Sequence, residues 1–116
     1  MGIWDRGRLR NSVGIETRHN YFTPLIPKGT QLPFALTESF TTADLNQSSI
    51  KIKALQGEST QASANKRLGL FEVVDIPPGA PGAAKIHITF HLDAHGSLRV
   101  SAKDEGTGRD LPVVRR

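Results

Sequence analysis

A chain of 116 residues is one domain's worth, long enough to bury a core without staples. It contains no cysteine, which excludes a disulfide framework, a thiolate nucleophile and a Cys-type zinc site. The formal charge of +4 invites a nucleic-acid partner, but the basic clusters, Arg6, Arg8 and Arg10 and the Arg115-Arg116 pair, sit at the two ends, where charge is ordinarily solvated.

Residues 1–11 show neither a strand period nor a helix period and read as a tail or linker remnant, which leaves 12–116 for the folded domain. They hold no signal-peptide core, and Arg6 stands where an acylation signal needs Ser or Thr. No stretch approaches the ~20 apolar residues of a membrane span, so a soluble, cytoplasmic chain without membrane contact is expected. Residues 21–26 and 34–42, rich in Phe, Thr and Leu, suit strands, and Pro27-Lys-Gly-Thr-Gln-Leu-Pro33 between them is loop chemistry. Ile50, Ile52 and Ala54 alternate with Lys51 and Lys53, which predicts a strand over 48–55. Only 59–67 has helical potential, and it lacks an apolar stripe. A strand over 68–74 is closed by Ile76-Pro-Pro-Gly-Ala-Pro-Gly82.

The clearest signal follows. Ile86, Ile88, Phe90 and Leu92 alternate with polar partners, Asp93-Ala-His-Gly96 is a turn, and Leu98, Val100 and Ala102 alternate again. That pattern is a β-hairpin. After Glu105-Gly-Thr-Gly108, residues 109–114 complete the set. Short strands with frequent turns predict an all-β fold, an antiparallel β-sandwich of about eight strands.

Catalytic chemistry finds no support in the pattern. His87, His91 and His95 are spaced by four, but on a strand rising ~3.3 Å per residue the first two stand about 13 Å apart, too far to share an ion. No Gly-x-Ser-x-Gly elbow occurs, and the glycine turns at 79–82 and 106–108 lack the Gly-Lys-Ser/Thr of a phosphate loop. The expectation is a non-enzyme with no metal, no catalytic residues and no cofactor of its own.

Eight phrases in unbroken register decide the function. They are Ser12-Val-Gly-Ile-Glu-Thr17, Leu25-Ile-Pro-Lys28 with Pro33, Phe40-Thr-Thr-Ala43 with Asn46-Gln47, Leu55-Gln-Gly-Glu58, Asn65-Lys-Arg-Leu-Gly-Leu-Phe71, Ile76-Pro-Pro-Gly79, Ile86-His-Ile-Thr-Phe-His-Leu-Asp-Ala94 and Gly96-Ser-Leu-Arg-Val-Ser-Ala-Lys-Asp104. Together they resemble the peptide-binding β-domain of the seventy-kilodalton heat-shock chaperones, the DnaK type. The resemblance implies a sandwich whose loops at one end form a channel for an extended peptide, and a stress-response chaperone role.

It also implies the site. Ile15, Phe40, Ile50, Ile52 and Ile86 would line an apolar pocket, Arg18 and Ala43 would arch over the bound backbone, and Thr17, Thr41, Thr42 and Gln47 would complete the channel. Lys28, Pro33 and His95 would face a nucleotidase domain, where ATP would bind. Neither that domain nor a helical lid is recognisable in these residues, so an excised fragment or a reduced relative is expected. The implied partners are unfolded or extended peptides with a Leu or Ile anchor, and co-chaperones in the full-length protein; residues 109–116, which Pro112 confines to an edge, add the C-terminal tail of another copy as an expected partner.

Several positions depart from the family pattern. Arg18 replaces a small or apolar residue, Leu45 an acidic lid latch, Pro81 a common Arg, and His95 an Asp. Residues 7–11 do not match the usual lead into the first strand. These departures put lid closure and ATP-driven release in doubt. Two other readings compete: an adaptor sandwich that has lost its grip on ligand, and a single-strand nucleic-acid binder built around Tyr21, Phe22 and Phe34.

Overall fold

Alternation of apolar and polar residues dictates the architecture, since each strand has one face to bury. A computed structural model describes residues 4–5 and 7–116, with side chains from residue 7 onward. Its strands are β1 Trp4–Asp5, β2 Arg8–Leu9, β3 Val13–Thr17, β4 Tyr21–Ile26, β5 Phe34–Thr41 and β6 Ile50–Gln56. They continue as β7 Lys66–Val73, β8 Lys85–Leu92, β9 Leu98–Asp104, β10 Asp110–Leu111 and β11 Val113–Arg115. A five-stranded sheet runs β11-β7-β6-β3-β4, and a four-stranded sheet runs β10-β9-β8-β5. The pairings in both sheets are antiparallel, and the chain is the all-β sandwich that its periodicity predicts.

The core lies between the sheets. Ile52 and Val73 of the first sheet and Ile86, Ile88, Phe90 and Leu92 of the second are each at most 2% exposed and belong to one cluster. Full burial of each such side chain stabilises by about 1.5–3 kcal/mol. Pro112, which cannot donate to a ladder, divides the last strand. Asp110–Leu111 pairs with β9 in one sheet, and Val113–Arg115 pairs with β7 in the other. Counting the divided segment once, β3 to β9 and this last strand give the expected eight.

The domain starts earlier than residue 12. Leu9 is 2% exposed in the core; its N–H donates to the Thr30 carbonyl and its carbonyl accepts from Gly29, both at 2.9 Å. A two-residue strand is too short to show a period, so the segment from Arg8 read as tail. Residues 1–3 and 6 of that expected tail lie outside the described residues. The 59–67 segment holds one 3-10 turn at Ala62–Ala64, and its last two residues begin β7. Ala62 there is buried against Phe22 and Leu55 in a second, smaller cluster.

A bulge in β4 allows both clusters to form. The register shifts between Val13 and Gly14, so that Thr23 opposes Ile15 while Ile26 opposes Val13. Ile26 thereby joins the main core and Phe22 the smaller cluster. Gly14 permits the bulge: a Cβ there would collide with the Thr23 carbonyl oxygen and sit 2.7 Å from Pro24 Cα.

Candidate functional site

Strand register sorts the loops by end. Thr41 opposes Lys85, Ile50 opposes Val73, and Ile86 opposes Asp104. The 42–49 loop, the 74–84 loop and the turn after Asp104 therefore gather at one end. The 18–20 turn leaves β3 toward that end, because β3 and β6 run antiparallel with Val13 against Gln56.

The five apolar residues predicted to line a pocket come together there. Ile15 (5% exposed), Ile52 (2%) and Ile86 (0%) belong to the main cluster, and the half-buried Phe40 and Ile50 pack against it. Phe40 stands opposite Ile86 within one sheet, whereas Ile15, Ile50 and Ile52 come from the other. Three of the five are thus core residues, and Phe40 and Ile50 stay half-exposed at the rim of that core.

Two loops brace each other around that rim. Gly82 N–H donates to the Thr42 carbonyl (2.7 Å), Asn46 N–H to Gly79 (2.8 Å) and Ile76 N–H to Ser48 (3.1 Å). Gln47 staples the first loop from within. Its Oε1 accepts from the backbone of Ala43 (2.8 Å) and Asp44 (3.1 Å), and its Nε2 donates to the Ser49 carbonyl (2.7 Å). The amide assigned to ligand contact is therefore engaged in shaping the loop. Ile76 and Gly79, to which the sequence assigned a strand-closing turn and a family phrase but no place at the site, are part of this frame. Their Pro-Pro-Gly chemistry signals a turn but not the loop it leans on.

The remaining predicted residues spread around the end. Thr17 Oγ1 meets Thr23 Oγ1 at 2.6 Å, while Thr42 is buried and Ala43 exposed. Thr41 follows Phe40 along β5, so its side chain lies on the other face, away from the core. Arg18 is exposed at φ 51° and has no ion pair among the described residues. Its neighbour Glu16 is already committed to Lys53 Nζ (3.0 Å) and to the Asn20 N–H (3.1 Å). The Lys53 hydrogen bond holds that carboxyl below its ordinary range. The turn therefore presents an uncompensated cation.

Lys28, Pro33 and His95 lie at the opposite end. Lys28 N–H donates to Ser12 Oγ (3.1 Å), and His95 N–H donates to Asp93 Oδ1 (2.8 Å). Pro33 lines a cavity of about 590 Å³ with Phe34, Leu92, Asp93 and Arg99. The histidines stay apart as the strand rise requires: His87 Nε2 is 3.0 Å from Glu105 Oε1, and His91 Nε2 is 3.2 Å from Ser101 Oγ. Among the described residues no three His, Asp or Glu side chains gather as metal ligands.

The structure is thus an antiparallel sandwich with two loops braced against each other at one end. A family model described as "Hsp70 protein" matches residues 9–114. This chain belongs to the Hsp70 family, the chaperones to which its sequence phrases are similar.

Proposed function

We propose that this domain grips one extended, apolar stretch of an unfolded polypeptide as the substrate module of an Hsp70 chaperone. The observation that carries the reading is the rim, where Phe40 and Ile50 stay half-exposed while packing against the core that holds Ile15, Ile52 and Ile86. An extended peptide offers unpaired backbone groups at every residue, which loops can meet whatever the side chains are. The rim then accepts one Leu or Ile, whose burial gains about 1.5–3 kcal/mol. Backbone contact with a single anchor yields broad selectivity, which suits unfolded chains.

In this reading the family's ATP chemistry belongs to a nucleotidase domain, and this module contributes binding without catalysis. Co-chaperones act on the full-length protein, and the chain works in the cytoplasm. Titration of labelled peptides beside single-stranded DNA tests the proposal. A leucine-centred peptide should bind with micromolar affinity, about −8 kcal/mol, and exchange fast. An all-serine peptide and the DNA should bind far more weakly. Equal affinity for the leucine and serine peptides would refute the anchor, and preference for DNA would favour a nucleic-acid surface instead.

A further inference from the structure

A sheet edge presents a row of unpaired backbone groups, and folded proteins blunt such edges by shortness, proline, charge or cover. The sandwich has four edges, and three are blunted. β4 carries Pro24 and is capped by the 59–62 loop, where Phe22 N–H donates to Thr60 at 2.9 Å and Tyr21 bridges Gln61. β10 is two residues long and β11 three, with Pro112 between them and Arg115-Arg116 at the end.

Among the described residues the fourth edge, β5, carries only one of these devices, a single charge. Its eight residues, Phe-Ala-Leu-Thr-Glu-Ser-Phe-Thr, contain no proline, glycine or cation, and its only charge is Glu38. They pair with β8 in unbroken register, without a bulge. Phe34 is 38% exposed, and Leu36 and Phe40 are only half-covered, although all three alternate onto the face whose β8 partners are buried.

We infer that β5 is a self-association edge, on which a second copy of this chain adds its own β5 antiparallel. This goes beyond the peptide grip and does not depend on it. A two-fold pairing within a continuous sheet keeps faces matched, so residues of the same parity must oppose each other. Two registers keep most of the strand paired. Centring on Glu38 sets two carboxylates directly opposite, which is unfavourable. Centring on Thr37 sets Phe34 opposite the second copy's Phe40, Leu36 opposite its Glu38 and Ala35 opposite its Ser39. The second register buries apolar area, adds two aromatic cross-strand pairs and avoids the charge clash. It joins two four-stranded sheets into one of eight strands. A contact made by one eight-residue strand on each side is small, so the dimer should be weak and concentration-dependent.

The test is sedimentation velocity across a wide range of protein concentration, with variants at the two-fold position. The wild type should dimerise reversibly. Thr37→Lys and Thr37→Glu should each lose the dimer, and an equimolar mixture of the two should recover it. Thr37 is exposed and its Oγ1 meets only Thr89 Oγ1 in a surface contact of 2.8 Å, so both variants should melt near the wild type. Cysteine cross-linking gives a second readout in a chain without native thiols. Directly opposed Cβ atoms lie near disulfide reach, so Thr37→Cys should oxidise to a covalent dimer. Ser39→Cys, offset from its own copy, should not. A monomer at every concentration, association untouched by both charge variants, or cross-linking equal at 37 and 39 would overturn the inference.

Discussion

Arg18 holds φ at 51°, a left-handed conformation that costs an L side chain about 1–2 kcal/mol. Glu16, the nearest acid along the chain, is occupied by Lys53, so the cation at the mouth of the proposed channel acts outward. Arg18→Ala should therefore remove a preference for acidic residues flanking the anchor, with little change in stability. Paired titrations with Asp-flanked and Lys-flanked peptides at low and high salt check this. An affinity ratio that the substitution leaves unchanged at low salt would make Arg18 a bystander. Ile50→Phe, on the rim, should weaken peptide binding while costing the fold about 1–3 kcal/mol, read from melting temperature and affinity together. Complete unfolding would assign Ile50 to the core. At this scale the sequence was legible where alternation or a motif phrase marked a residue, as with Ile52 and Ile86. It was silent on Gln47's use as a staple, because both of that amide's ends answer to loop backbone that only the fold brings near.

The hairpin of β8 and β9 was readable because period two persists through both strands. The divided last strand was not, since the switch of sheets at Pro112 depends on partners far away in sequence. A tail free to dock on another copy was one expectation for residues 109–116. The structure instead engages this segment at home. Leu111 is 5% exposed in the core, the Arg115 guanidinium lies 5.3 Å above the Phe71 ring, and Arg116 reaches Glu72 at 2.6 Å. Leu111→Ala should cost about 2–4 kcal/mol in denaturant unfolding, as expected for truncation of a buried leucine. A loss below about 0.5 kcal/mol, the range of ordinary surface changes, would mean that the segment detaches readily.

Acid should destabilise the whole sandwich in two stages. Burial, with help from Arg99, lowers the His91 pKa, so the unfolded chain binds more protons there than the folded one. Stability is thus fully present above the unfolded histidine value of about 6.5 and declines as pH falls through the lowered one. The Glu16, Glu72 and Asp93 carboxyls are also lowered, chiefly by hydrogen bonds from Lys53, from Arg116 and from the Ser97 backbone respectively. Their contribution is fully present above the unfolded values, 4.5 for the two glutamates and 3.8 for Asp93, and is lost as pH falls through the lowered ones. His91→Gln should flatten the slope of stability between pH 7 and about pH 5 while leaving the steeper acid limb in place. Urea titrations at a series of pH values would show this, and an unaltered slope would remove His91 from the account.

That an apolar rim on this sandwich receives one side chain of an extended peptide is tested most directly by methyl NMR. A leucine-centred peptide is titrated into protein labelled at the isoleucine methyls. The rim reading predicts the largest shifts at Ile50, followed by Ile15, Ile52 and Ile86 beneath it, with Ile26 and Ile88 little changed. Shifts confined to residues at the opposite end, or none at Ile50 when the peptide is bound, would contradict it.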